Sequence, residues 1–240
     1  MESKVISLRL PELSPRERES AYVAEEPHLF GKAIKRIVDF AFSLFVVLFG
    51  FPFYMLIALM IKLSSPGPVL YVQKRVGLNS KVFKFYKFRT MTDGNNDETH
   101  RNFTENFIKG KVIENGCTRN GKPVFKIAED PRITAVGRFL RRTSLDELPQ
   151  FINVLKGEMS IVGPRPPLSY EVAHYKEWHK KRLLAKPGIT GLWQVSERST
   201  VPFDEMVKLD LKYLEDWSLL LDFKIILRTV PVMLMGSGGF

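Results

Sequence analysis

Residues 37–61 read IVDFAFSLFVVLFGFPFYMLIALMI, twenty-five positions with a single charge, Asp39, near the start. About 20 consecutive apolar residues span the hydrocarbon of a bilayer, so this stretch predicts a membrane-inserted helix. Its middle is broken. Pro52 lacks a backbone N–H and drives its ring toward the carbonyl of Leu48, and Gly50 adds no stiffness, so a bend near 50–52 follows. Lys32, Lys35 and Arg36 precede the segment, and Lys62, Lys74 and Arg75 follow it. Basic residues at both ends give no orientation for a simple crossing. They suit a helix that enters, bends at Gly50 and Pro52, and leaves by the same face, although a kinked single span has the same length.

On either side of this segment the composition changes. Residues 1–30 carry a net charge of −2 in a chain of +10, so the basicity belongs to the body, which asks for an anionic partner. Those first residues contain no apolar run of signal-peptide type and read as a mobile polar arm. Cys117 is the only cysteine, which excludes an internal disulfide and a Cys-based zinc site. The reading divides the chain into an arm at 1–30, a bent membrane helix at 31–63 and a body at 64–240.

The body opens on a turn cluster, SSPGP, followed by VLYVQKRVG and KVFKFYKFRTM, whose β-branched and aromatic bias predicts short strands. Because side chains alternate along a strand, Phe83, Phe85, Lys87 and Arg89 share one face. Lys87 and Arg89 are candidate phosphate ligands, with an ordinary solvated strand end as the equal alternative. Residues 92–122 are polar, carry an Asn120-Gly121 turn signal and read as an excursion from the core. His100, His174 and His179 lack metal-ligand spacing and read as surface histidines.

GRFLRRTSLDELPQFINVLKGEMS then predicts a helix with Leu148, Phe151, Ile152 and Leu155 on its core face and an end at Gly157. Ser144 followed by Glu147 has the spacing of a capping box, yet Pro149 would disturb such a first turn. VGPRPP fixes the backbone around Arg165. PFDEMVKLDLKYLEDW reads as a helix, and the apolar LLLDFKIILRTVPVML reads as interfacial or core-packed. No GxGxxG, GxxxxGK or GxSxG is present, which removes the common nucleotide-binding and hydrolase motifs.

Adjacent helical residues point about 100° apart, so Asp146 and Glu147 cannot face each other across a sugar as glycosidase carboxylates do. Two splayed carboxylates suit divided labour instead. With Arg138, Arg141, Arg142 and Arg165 near them in sequence, and no thiol or histidine cluster, the set points to phosphate oxygens and Mg²⁺. A competing reading is a membrane-tethered basic module that binds nucleic acid or anionic lipid without catalysis, since KVFKFYKFR interleaves cations with aromatics able to stack bases.

The ordered blocks KRIVDF, GPVLYVQKRVG, FKFYKFRTM, DPRITAVGRFLRRTSLDELPQFINVLKGEMSIVGPRP and KPGITGLWQV resemble the bacterial sugar transferase family, the monotopic polyprenyl-phosphate phosphoglycosyl transferases. The resemblance covers roughly residues 32–234. It implies an α+β, membrane-associated fold: one bent, re-entrant N-terminal helix and a mostly helical catalytic domain with a few short strands and interfacial amphipathic helices. It also implies transfer of a sugar-1-phosphate from a UDP-sugar to undecaprenyl phosphate with release of UMP, the first membrane step of surface glycan synthesis, and no nucleic-acid partner. Asp146 is then the nucleophile and a Mg²⁺ ligand, and Glu147 its dyad partner. Arg141 and Arg165 contact phosphate or anchor the site, Lys87, Arg89 and Arg75 supply positive surroundings, and Lys35 and Arg36 meet headgroups or the lipid phosphate. The implied location is the bacterial inner membrane with the catalytic domain on its cytoplasmic face. One departure stands out: members often carry Ser-Pro at the helix break, where this chain has Phe51-Pro52 after Gly50. It is expected to be a compact member, and its oligomeric state, a homo-oligomer included, is left open, as are the sugar and the glycan.

Overall fold

The computed structural model describes residues 15–92, 97–111, 118–119, 122–123, 132–196 and 201–234. Helix α1 (Pro15–Phe49) and helix α2 (Phe51–Ser64) meet at Gly50. The pair Leu29–Phe49 and Phe51–Ser64 is bent by 61°, and only together do they have the length and apolarity of a membrane segment; no single described helix does. Gly50 is required by close approach. A Cβ there would lie 2.3 Å from the Val46 carbonyl oxygen and 3.1 Å from the Tyr54 ring. Pro52 falls in the first turn of α2, where a missing N–H costs nothing. The break is thus built from a residue too small to obstruct it and one that starts the next helix. Because α1 begins at Pro15, the polar arm expected over 1–30 is helical from there onward, and residues 1–14 lie outside the described set.

Both limbs of the bent pair are fastened to one body. Near its start, Asp39 accepts from Ser160 Oγ at 2.7 Å and from the Ile161 N–H at 3.2 Å. At the far end, Ile57 and Ile61 pack with Phe88 and Leu140, and Tyr54 donates to the Leu148 carbonyl at 2.8 Å. Between these anchors stand exposed apolar side chains, among them Phe45, Leu48, Phe49, Phe51, Phe53 and Leu56. Exposed apolar surface this extensive marks a contact with something other than water.

The predicted strands form an antiparallel hairpin, β1 (Leu70–Val76) with β2 (Val82–Phe88), pairing Tyr71 with Lys87 and Arg75 with Phe83. Helix α3 (Asp97–Ile108) occupies the middle of the expected polar excursion. Its last residue, Ile108, is buried with Val76, Val172 and Phe203, so this region returns to the core rather than leaving it. The minimal pair β3 (Thr118–Arg119) and β4 (Lys122–Pro123) flanks the Asn120-Gly121 signal, which lies outside the described residues, as does Cys117.

Helices α4 (Ala135–Arg142) and α5 (Gln150–Leu155) follow, separated by a single 3₁₀ turn at Leu145–Glu147. Strand β5 (Ser160–Val162) pairs in parallel with β6 (Gly188–Thr190) across a connection holding α6 (Ser169–Val172) and α7 (Glu177–Lys180). The chain continues through α8 (Leu192–Ser196), α9 (Phe203–Glu215) and α10 (Leu219–Leu234). The main core joins Phe83 and Phe85 of β2, Val154 of α5, Met159, both β5 valine and isoleucine side chains, Tyr213 and Ile225. At its centre, fully buried Asn153 donates to the Lys84 carbonyl at 2.6 Å and accepts from the Tyr86 N–H at 3.2 Å. A polar side chain with no helical periodicity signal therefore locks α5 onto β2.

Two expectations need correction here. His179 is wholly buried, accepting at Nδ1 from the Lys176 N–H and pairing at Nε2 with Asp204, 3.1 Å away, among Tyr175, Trp178 and Phe203. The helix expected over GRFLRRTSLDELPQFINVLKGEMS is two helices, α4 and α5, with the 3₁₀ turn between them, because Pro149 has no N–H for a continuous ladder and becomes the residue before α5.

Candidate active site

The turn between α4 and α5 carries the two acids. Ser144 adopts the left-handed conformation, φ 57°, and its side chain makes no capping bond, so the capping box does not form. Arg141 and Leu145 carbonyls instead accept from the Ser144 and Leu148 N–H groups, closing one short turn on either side of the acids. Asp146 and Glu147 are thus held in a 3₁₀ segment, whose successive residues diverge by about 120°.

They nevertheless converge on one cation. Lys87 Nζ lies 2.7 Å from Glu147 Oε1 and 3.7 Å from Asp146 Oδ2. Strand alternation places Lys87 on the same face as buried Phe85, whose ring centroid is 5.6 Å from Nζ. The strand-face reading of Phe83, Phe85 and Lys87 holds. Arg141, at the end of α4, donates to Thr90 Oγ1 at 2.9 Å, which keeps its guanidinium close enough to act electrostatically on Asp146.

The two carboxyls have different environments. Burial raises Asp146 above its ordinary value, with Glu147 adding to that rise and Lys87 and Arg141 opposing it. Burial works the same way on Glu147, but Lys87, Arg165 and Arg75 outweigh it and hold the group below its usual range. One acid of the pair is therefore biased toward the neutral form and the other toward the charged form. Paired groups pushed in opposite directions are a mark of acid–base or nucleophilic sites.

The other predicted cations divide. Arg165 belongs to the electrostatic surroundings of Glu147, and its carbonyl accepts from Arg182 Nη2 at 3.4 Å. Arg75 is buried, donates to the Pro166 carbonyl at 2.7 Å and stands 5.0 Å from the Phe85 ring centroid. Burial, helped by Arg165, lowers it to about 10. It supports the Pro-rich loop from beneath while adding positive charge toward Glu147. Arg89 lies one residue past β2, buried, with its guanidinium spent on Ser65 O, Ser65 Oγ and Pro66 O. It fastens the end of the bent pair to the hairpin.

Lys35 and Arg36 lie away from the turn and also point inward. Lys35 pairs with Asp222 at 2.5 Å and donates to the Val162 carbonyl at 3.1 Å. Arg36 donates to the Val154 and Leu155 carbonyls at 2.6 and 3.0 Å, covering the exposed end of α5. Both side chains fasten α1 to the body. No group of three or more His, Cys, Asp or Glu able to hold a metal occurs among the described residues. The two acids do fit Mg²⁺ in another way, since that ion takes one or two carboxylates and completes its shell with water and substrate phosphate.

Sequence reasoning missed Asn153, Thr90 and Tyr54, which hold the site's supports together. The base-stacking alternative fails on packing: Phe83, Phe85 and Phe88 are buried, so the interleaved aromatics present no platform.

Comparison with known proteins places this geometry in context. The family description "bacterial sugar transferase" matches residues 30–236. The galactosyl transferase CpsE of Streptococcus agalactiae is 49% identical over 174 residues, 72% of this chain and 36% of that protein. The undecaprenyl-phosphate galactose phosphotransferase of Salmonella typhimurium is 41% identical over 209 residues, 86% of this chain and 42% of that protein. The chain thus spans less than half the length of either. The exopolysaccharide production protein ExoY of Rhizobium meliloti is 38% identical over 211 residues, covering 88% of this chain and 89% of that protein.

Proposed function

The chain belongs to the bacterial sugar transferase family, and on that premise we propose that it moves a sugar-1-phosphate from a UDP-sugar to undecaprenyl phosphate, releasing UMP. The observation that carries this reading is Asp146, 7% exposed, beside Glu147 on an irregular turn with one ammonium shared between them.

Asp146 is the nucleophile. Its carboxylate oxygen bonds to the sugar-bearing phosphorus as the bridging P–O bond breaks, and UMP leaves with that electron pair. A phosphate oxygen of undecaprenyl phosphate then attacks the same phosphorus and returns the carboxylate. One pyrophosphate linkage replaces another, so the overall reaction is near balance. Attack by an anion on an anionic phosphate is opposed by charge, and Lys87, Arg141 and Arg165 lessen that opposition. Glu147, held charged by Lys87, keeps the ammonium in place and orients it toward Asp146. Asp146, with Glu147 at hand, would hold a magnesium ion, which would supply positive charge against the phosphate oxygens. Asp146→Asn should abolish both UMP release and covalent phosphosugar labelling while the protein stays folded; full activity in that variant would sink the assignment.

The bent pair is re-entrant on this reading, with the body on the cytoplasmic face of the inner membrane. Support comes from its fastening at both ends to one body, at Asp39 and at Ile57 with Ile61, with exposed apolar side chains between. In a Cys117→Ser background, cysteines introduced at each end of 37–61 should both react from the cytoplasmic side. Reaction from opposite sides would establish a crossing.

A further inference from the structure

The hairpin face that carries Lys87 has an aromatic neighbour on the other strand. Residues directly opposite in an antiparallel pair share a face, with Cβ atoms about 5 Å apart. The register sets Tyr71 opposite Lys87, Gln73 opposite Phe85 and Arg75 opposite Phe83. Phe83 and Phe85 are buried, but Tyr71 is 44% exposed. An accessible ring therefore stands beside the lysine that Asp146 and Glu147 share.

The two ends of this face differ. Arg75, about 13 Å of strand from Tyr71, acts with Arg165 on Glu147, whereas Arg141 acts on Asp146 and is held at Thr90, just past the opposite end of β2. Glu147 thus belongs to the cationic end and Asp146 to the end marked by Tyr71. That second end is also the one fastened to the bent pair. Phe88, opposite Leu70, packs with Ile57 and Ile61 of α2, and its ring centroid is 5.8 Å from that of Tyr54. Exposed Leu63, in the last turn of α2, and exposed Leu70, at the start of β1, carry apolar surface from the bent pair onto the hairpin.

A polyprenyl phosphate must bring its phosphate to Asp146 while its hydrocarbon avoids water. The isoprene next to the phosphate is the part drawn furthest from the membrane, and each Å² of apolar surface left in water costs about 25 cal/mol. An exposed ring beside Lys87, at the end joined to the bent pair, covers that isoprene. The nucleotide donor carries two phosphates and suits the cationic end instead. Resting on the reaction proposed above, we propose that Tyr71 is an acceptor-binding residue, its ring packing against the isoprene nearest the lipid phosphate and setting that phosphate beside Lys87. The contact is made by the ring, not by the hydroxyl.

The two half-reactions, followed on the full chain in detergent micelles, test this. A burst of UMP from a UDP-sugar without acceptor reads formation of the phosphosugar on Asp146, and loss of the label on adding undecaprenyl phosphate reads its discharge. Tyr71→Ala should keep the burst and the donor KM, and raise the acceptor KM about tenfold, the scale for returning one aromatic contact to water. Tyr71→Phe should keep the unaltered acceptor KM, and so should Val72→Ala, on the opposite strand face. An unchanged acceptor KM in Tyr71→Ala overturns the inference. So does a rise in donor KM instead, which assigns the ring to the sugar or base, and so does an equal acceptor defect in Tyr71→Phe or Val72→Ala. An unaltered chain that gives no burst with any UDP-sugar overturns the underlying reaction, and the inference with it.

Discussion

Two clusters of buried charge share ingredients and differ in arrangement. Arg182 and Asp210 form an ion pair with both side chains almost fully enclosed, and Arg182 Nη1 also donates to the Tyr175 hydroxyl oxygen at 3.1 Å. Burial pushes Asp210 up to about 6 against the pull of Arg182. At the acidic turn, two carboxylates share Lys87, and each of the three side chains keeps some exposure, between 10% and 21%. The first cluster balances one charge with one and admits nothing further. The second sets two acids among Lys87, Arg141, Arg165 and Arg75, an excess of positive charge, and keeps an opening, so its balance is completed by an anion that arrives. A closed pair serves the fold; an unbalanced, accessible one serves chemistry.

The sharpest way to break that comparison is to neutralise each acid. Asp146→Asn should lower turnover by roughly 10³-fold or more, as nucleophile removal does, with no loss of thermal stability. The sign follows from its raised value. Ionisation of Asp146 costs the fold, so whatever stability the neutral group brings is present at low pH and lost as pH rises through its folded value. An amide avoids that loss. Asp210→Asn should do the reverse: it leaves Arg182 enclosed without a carboxylate and costs about 3–5 kcal/mol in urea unfolding. The protein that remains folded should keep its turnover. A large turnover loss in folded Asp210→Asn, or a large stability loss in Asp146→Asn, would erase the distinction.

Lys87→Met sits between them. Removing the shared ammonium should reduce turnover by about 10²-fold, the scale for one electrostatic contact to a transition state. It should also move the acid limb of the pH–rate profile upward. In the unaltered protein that limb already lies above the ordinary aspartate range of about 3.9, because Asp146 must ionise to attack and burial resists this. Without Lys87 the resistance grows. Glu147 has the opposite linkage: its lowered value brings stability above the ordinary glutamate range that is lost as pH falls through its folded value. The smallest effect belongs to Gly50→Ala, where a Cβ 2.3 Å from the Val46 carbonyl must open the bend. About 1–3 kcal/mol of destabilisation is expected, read as a lower melting temperature with the acidic turn intact.

The acidic turn itself was legible in the sequence. LDELPQ carries the acids and the proline that forbids a regular helix across them, and alternation along β2 put Lys87 on the correct face. The bend was equally legible in Gly50 and Pro52. The contacts that Lys35, Arg36, Arg75 and Arg89 make were not legible, for one shared reason: each gives donors to backbone carbonyls far away in sequence. A carbonyl exists at every residue, so no local pattern announces which one a cation will find. His179 failed in the same way, since the Asp204 that holds it is 25 residues away. The short 3₁₀ and helical pieces between 160 and 196 lack enough turns to show periodicity.

The bent apolar pair, fastened at Asp39 and at Ile61, has a mechanical consequence on the re-entrant reading. A spanning helix must match the full hydrocarbon thickness and tilts or strains when it does not. A hairpin anchored on one side samples only the near leaflet, and the opposite surface exerts no load on it. The acidic turn would then ride at a fixed depth below the near headgroups in thick and thin membranes alike, like a float on a short tether. Turnover should stay level as acyl chains are lengthened.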